Sequence, residues 1–250
     1  MSNQAVIEKV SKSFSVNGAC LPVLQDISFS AKEGTVISIL GKSGIGKTTL
    51  LNIISKLELP SAGRVETSGV VGYVPQRDLL LPWRSVLRNI LLPTEIKRKV
   101  GQKEIAQAEK LLRQAGLWEF RNAYPSEISG GMCQRVSLAR TFMQNPDIIL
   151  FDEPFAAIDF DTRLKLGREV RSQIVSQKKI GIFVTHNIEE AISMGDTILI
   201  LAGRPALIVH QEEVRIAEQF RDPASIRKTQ DFQSHFDTLW HLLSNVERCI

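Results

Sequence analysis

Residues 35–49 read TVISILGKSGIGKTT. Thr35–Leu40 is a short β-branched run, the composition of a strand. Gly41, Lys42, Ser43, Gly44, Ile45, Gly46, Lys47, Thr48 and Thr49 follow and fit G-x-x-x-x-G-K-[ST]. Beyond them Leu50, Ile53, Ile54 and Leu57 recur at spacings of three and four, which predicts a helix over Thr48–Leu57 with these four on one face. A glycine-rich loop between a strand and a helix suits phosphate. The glycines let backbone N–H groups wrap inward, and the helix N-terminus adds partial positive charge. Lys47 supplies a full charge for the β and γ phosphates, and the Thr48 hydroxyl is placed to ligate Mg²⁺.

The alternation of strand and helix continues along the chain. Val70–Val74, Asp147–Phe151, Ile180–Thr185, Thr197–Leu201 and Ala206–Val209 read as strands, the last two around a turn at Gly203-Arg204-Pro205. Lys103–Ala115 reads as an amphipathic helix stopped by Gly116, and Gly131–Met143 as a helix with Ser129 as N-cap. Thr162–Val175 and Ile188–Met194 are helical as well. Apolar strands between helices indicate an α/β fold with a buried, mainly parallel sheet. The stretch from Gln76 to Asn145 carries helices and no convincing strand. The organisation expected is one domain over 1–250, with a core at about 1–75 and 146–210, a helical insertion at about 76–145 and a helical tail at about 211–250.

Ile148-Ile149-Leu150-Phe151-Asp152-Glu153 ends an apolar strand on two carboxylates. In a doubly wound sheet ligands gather at the carboxyl ends of strands. Asp152 is then positioned to hold Mg²⁺, and Glu153 to orient the attacking water and take its proton. Ser129-Gly130-Gly131 opens a helix shortly before this strand and makes a second anion-binding terminus. A second terminus has no obvious use within the first phosphate site. It makes sense if it serves a nucleotide held by another subunit.

These motifs together resemble the ATP-binding subunit of ABC transporters over nearly the whole chain. The resemblance rests on the phosphate loop, the signature Ser129-Gly130-Gly131 and the pair Asp152-Glu153. Gln76 resembles the family's Q-loop glutamine, Ala157-Ile158-Asp159 its D-loop, and His186 its switch histidine. Phe14 falls where the family keeps an aromatic residue for adenine stacking. The likeness implies a P-loop ATPase core with antiparallel β strands at the N-terminus. It also implies ATP with Mg²⁺ as cofactor, and two copies that sandwich two nucleotides head to tail. Glu153 would polarise water, His186 would contact the γ-phosphate, and Gln76 would touch Mg²⁺ or water. Ser129, Gly130, Gly131 and Asp159 would face the partner's nucleotide. Met132 and Cys133 depart from the family's usual Gln and polar residue, Ile158 from Leu and Phe14 from Tyr. None of these changes removes a phosphate contact.

The Leu79-Leu80-Leu81-Pro82-Trp83 cluster lies just past Gln76, in the region where family members receive a coupling helix from a transmembrane permease. Leu-Pro-Trp looks most like the importers of nitrate, sulfonates, taurine and pyrimidine vitamin precursors, which also employ an external solute-binding protein. The other readings are a soluble ABC-type mechanoenzyme acting on nucleic acid and an exporter ATPase. A charge of +4 with no basic stripe interleaved with aromatics argues against nucleic acid.

Composition bounds the rest. With 250 residues, 43% hydrophobic, the chain can bury a core without disulfides, so disorder, collagen and small disulfide scaffolds are excluded. Cys20, Cys133 and Cys249 have no metal-like spacing and read as free thiols of a reducing compartment. No apolar run suits a secretory signal or a membrane helix. The expected place is peripheral, on the cytoplasmic face of the membrane through a spanning partner. The tail carries Phe232, Phe236, Leu239, Trp240, Leu243 and Val246 on one stripe, expected to pack on the chain's own core or to bind a partner.

Overall fold

The structure is a computed structural model and describes residues 3–156, 158, 160–217, 221, 226–227 and 229–246. Asp159 of the D-loop expectation, Ala157 and Cys249 lie outside the described residues.

Two sheets organise the chain. Strands β1 (Gln4–Val16), β2 (Ala19–Lys32), β3 (Val36–Leu40), β4 (Ala62–Thr67) and β5 (Val71–Val74) come first. They are followed by β6 (Ile148–Asp152), β7 (Ile180–Thr185), β8 (Thr197–Ala202) and β9 (Leu207–Glu213). β2-β1-β4 form an antiparallel sheet, and β5-β6-β7-β3-β8-β9 a second sheet, parallel except for β9. Asn17 and Gly18, at φ 53° and 80°, make the tight turn between β1 and β2. β3, β6 and β7 are buried at every residue, as strands covered on both faces must be. The large sheet is therefore the α/β core expected, and the N-terminal strands are antiparallel as expected.

Helices α1 (Lys47–Ile54), α2 (Val86–Lys97), α3 (Gln102–Gln114) and α4 (Gly130–Phe142) precede α5 (Phe160–Ser176), α6 (Ile188–Met194) and α7 (Gln230–Val246). α2, α3 and α4 bury Val86, Ile90, Ala108, Leu112, Val136 and Ala139 in a cluster of their own. Apolar periodicity gives no clear helix across Pro93, yet α2 runs through it, with Ser85 as its N-cap. No helix among the described residues is long and apolar enough to cross a membrane.

Helix ends show where local chemistry was readable. Gly116, at φ 68°, ends α3: its N–H bonds Arg113 O and the Leu117 N–H bonds Leu112 O, a Schellman closure. The same closure stops α1 early. Lys56 takes φ 64°, its N–H bonds Ile53 O, and the Leu57 N–H bonds Asn52 O. A lysine in the left-handed position carries no sequence signal of a stop, so Leu57 was expected on the helical face. It is instead 71% exposed beyond the helix end.

Candidate nucleotide and hydrolysis site

The phosphate loop leaves β3 at Leu40 and enters α1 at Lys47. Its glycines have separate reasons. A Cβ on Gly41 would come within 2.8 Å of the Leu201 carbonyl oxygen on β8. Gly46 caps α1 at φ 111°, with Val23 and Leu24 of β2 packed 3.0 Å from where a Cβ would stand. No side chain caps α1 and no acidic residue occupies its first turn, so its leading N–H groups and positive dipole end stay available to an anion.

Lys47 is buried and donates to the Gly41 and Lys42 carbonyls at 2.8 and 2.9 Å. Its ammonium also lies 3.5 Å from Glu153 Oε1. Burial pushes its pKa below the ordinary lysine value, and Glu153 opposes that fall. Asp152, at the end of β6, accepts from the Thr48 hydroxyl at 3.2 Å on Oδ1 and from the Tyr73 hydroxyl at 3.1 Å on Oδ2. Burial raises the Asp152 pKa, while the two hydroxyls pull it back down. The threonine hydroxyl and the carboxylate are hard oxygen donors of the kind Mg²⁺ takes along with phosphate oxygens. The residues present fit a magnesium nucleotide.

Glu153 sits one residue beyond, at φ 46°, a strained setting for a non-glycine residue. Its N–H bonds Val184 O at 3.0 Å, which fastens the backbone to β7. Its Oε2 lies 3.0 Å from His186 Nδ1. His186 leaves the end of β7, and Asn187 caps α6 immediately after it. Gly41, Lys42, Ser43, Gln76, Glu153 and His186 line one cleft of about 870 Å³.

The remaining expected residues fall elsewhere. Ser129 is the N-cap of α4 and accepts from the Met132 N–H, as its position in the sequence suggests. Ser129 and Gly130 are exposed, and the signature triplet is not part of the cleft wall. A Cβ on Gly130 would meet nothing within 4 Å, so nothing among the described residues calls for a glycine there. Phe14 lies on β1 opposite Leu21, outside the cleft wall, with the Lys12 ammonium 4.8 Å from its ring centroid. Of the cluster past Gln76, Leu80 is buried while Leu79 and Trp83 are exposed, Trp83 by 71%. Arg140 donates to the Leu79 carbonyl, and buried Asn89 exchanges hydrogen bonds with Leu81, so the loop is held with those two side chains outward.

Tyr73 is the site residue that sequence reasoning missed. β5 pairs Tyr73 with Leu150, which puts Asp152 on the same face two residues along. A tyrosine three residues before Gln76 on an otherwise apolar strand was the available signal.

The sequence and the fold are matched by known proteins. The family model for the ABC transporter covers residues 24–156. The chain belongs to the ABC transporter family. As an ABC cassette it is an ATPase, and its fold is that of solved cassettes. The dimeric post-hydrolysis structure of the cassette MJ0796 bound to ADP and Pi superposes with a TM-score of 0.78 at 30% identity, over 85% of this chain and 100% of that one. A taurine import ATP-binding protein of Rhizobium johnstonii is 36% identical over 92% of each chain. A formylaminopyrimidine import ATP-binding protein of Halalkalibacterium halodurans is 36% identical over 79% of each.

Proposed function

We propose that this cassette is the motor of an importer of small solutes, working as a pair of identical chains that share two ATP sites. The observation that carries this reading is a division of labour. Lys47 pairs with Glu153, Glu153 with His186 and Asp152 with Thr48 at the phosphate-loop end, while the Ser129 helix end lies exposed and away from that cleft. A capped, glycine-opened terminus with nothing to bind in its own chain suits the γ-phosphate held at a second chain's Lys47. A two-fold axis would make both sites equivalent.

Within each site Lys47 and the α1 N-terminus hold the phosphates. Thr48 and Asp152 would hold Mg²⁺, and Gln76 would reach it or the water from the cleft wall. When bound, Mg²⁺ would offset phosphate charge during the transfer. Glu153 accepts the proton of the attacking water, and its fixed backbone decides where the carboxylate points. His186, hydrogen-bonded to Glu153, contacts the γ-phosphate and keeps that geometry. Phe14 stacks on the adenine.

The relatives' names support import, of taurine-like or pyrimidine-type solutes, and the outward Leu79 and Trp83 support a permease contact there. The helical cluster of α2–α4 would carry that contact as a unit. The cassette would then sit on the cytoplasmic face of the membrane, and a separate external protein would choose the solute. Affinity purification tests this: the chain should bring down a multi-helix membrane protein, and Trp83→Ala should weaken the association at least tenfold. Recovery of nucleic acid in place of a membrane protein would refute the motor assignment.

A further inference from the structure

The nucleotide cleft has a second wall that belongs to the tail. Phe236, Trp240 and Leu243 of α7 line it opposite Gly41–Ser43 and His186. α7 is firmly seated. Phe232 and Leu239 are buried against Leu40, Ile188, Ile192 and Ile200. The buried Arg221 guanidinium, ahead of α7, donates to the Ile192 and Gly195 carbonyls at the end of α6 and to the Ile216 carbonyl. His235 pairs with Glu212 on β9.

From this seat an aromatic stack runs outward. The Phe232 and Phe236 rings are 6.2 Å apart and inclined by 24°, and the Phe236 and Trp240 rings 6.2 Å apart and inclined by 10°. The stack ends at Trp240, which is 56% exposed. The tail stripe is thus split: its inner residues serve the chain's own core, and its outer indole does not. Stacking fixes the indole before anything covers it, so little side-chain entropy remains to be lost on contact. Tryptophans placed in this way dominate the energy of protein interfaces.

We propose that Trp240, with Leu243 beside it, docks on a second copy of this chain when ATP closes the pair. The occupant follows from continuity: the indole borders the same cleft into which the second copy must bring its Ser129 terminus. The contact seals the cleft edge with apolar surface and adds affinity to the closed state only. The inference rests on the paired reading above.

The experiment uses Glu153→Gln, which is expected to retain ATP without turning it over. Sedimentation of that variant with Mg·ATP should show dimers. Adding Trp240→Ala should weaken the dimer about tenfold, and Trp240→Phe by less, with ATP affinity of the monomer measured alongside so that any loss of binding is separated from the loss of pairing. In the otherwise native chain, Trp240→Ala should lower turnover at low protein concentration and recover it at high concentration. ATP should also shift tryptophan emission to shorter wavelength, and Trp240→Phe should abolish most of that shift. Dimers of unchanged strength would overturn the proposal. So would tighter dimers or faster turnover, which would mark the tail as an obstruction. If Glu153→Gln forms no dimer with ATP in any background, the paired reading falls and this inference with it.

Discussion

The phosphate-loop end of the molecule and the signature end of α4 are built in opposite ways. At the first, charged side chains already have partners within the chain: Lys47 with two carbonyls and Glu153, Asp152 with Thr48 and Tyr73, Glu153 with His186. At the second, Ser129 satisfies one N–H of its own helix, and Gly130 borders open space. The first end is organised to perform a reaction, and the second is shaped to be met. In the pairing proposed above a complete pocket would need both, and one chain presents them on different surfaces.

The largest effect expected from breaking this contrast is at Glu153. Glu153→Gln should cut ATP turnover by roughly 10²-fold or more, the usual scale for losing a general base, while ATP-dependent dimers persist. Steady-state phosphate release and sedimentation would check both halves. A sharper experiment mixes two inactive chains. Lys47→Ala spoils the phosphate loop and Ser129→Arg the signature end, so neither chain alone should turn over. Equal mixing should restore about a quarter of the sites, because half of the random pairs carry one site built from two intact ends. Full turnover by the Ser129→Arg chain on its own would mean that each chain works alone, and two inactive chains that fail to rescue one another would mean that no site is built across the pair.

The next effect concerns the stability held back by function. Burial raises the Asp152 pKa in the folded chain above its unfolded value, so the ionised carboxylate weighs against folding at neutral pH. Asp152→Asn should abolish Mg²⁺-dependent turnover and yet raise the melting temperature of the nucleotide-free chain by roughly 2–4 °C. The sign fixes the pH course. The penalty is full above the raised folded pKa and fades as pH falls toward the unfolded value. The gap between the two melting curves should therefore close in acid. The smallest effect belongs to Tyr73→Phe, which removes one hydrogen bond to Asp152 and keeps the packing. Affinity for Mg·ATP should fall by about fivefold, the scale of about 1 kcal/mol for one hydroxyl. Titration calorimetry with and without Mg²⁺ would separate this from a loss of nucleotide binding itself.

What could be read in the sequence was what local chemistry encodes. Gly41–Thr49 is legible because a backbone that must turn and approach phosphate needs glycines at fixed spacing, and Gly116 and Ser129 are legible as helix ends for the same local reason. The burial of β3, β6 and β7 follows from continuous apolar runs. The meeting of Glu153 with His186 was not encoded by spacing. It depends on β6 and β7 being neighbours in parallel register; the family resemblance placed the two residues at one γ-phosphate without naming their contact. Tyr73 was hidden by the same non-locality. Leu57 was misplaced because Lys56 ends α1 with a backbone turn that lysine seldom makes. The tail stripe was correctly amphipathic, but its spacing could not reveal that Phe236, Trp240 and Leu243 would border the nucleotide cleft.

One contact joins the two contrasted ends. Gln134, buried in α4, donates to the Pro75 carbonyl at 3.4 Å, next to Gln76. α4 is 13 residues and about 20 Å long, so it acts as a stiff lever. In the pair proposed above, its tip would rest on one nucleotide while its side touches the loop that borders the other, so that loss of phosphate from either half would pull on the opposite half.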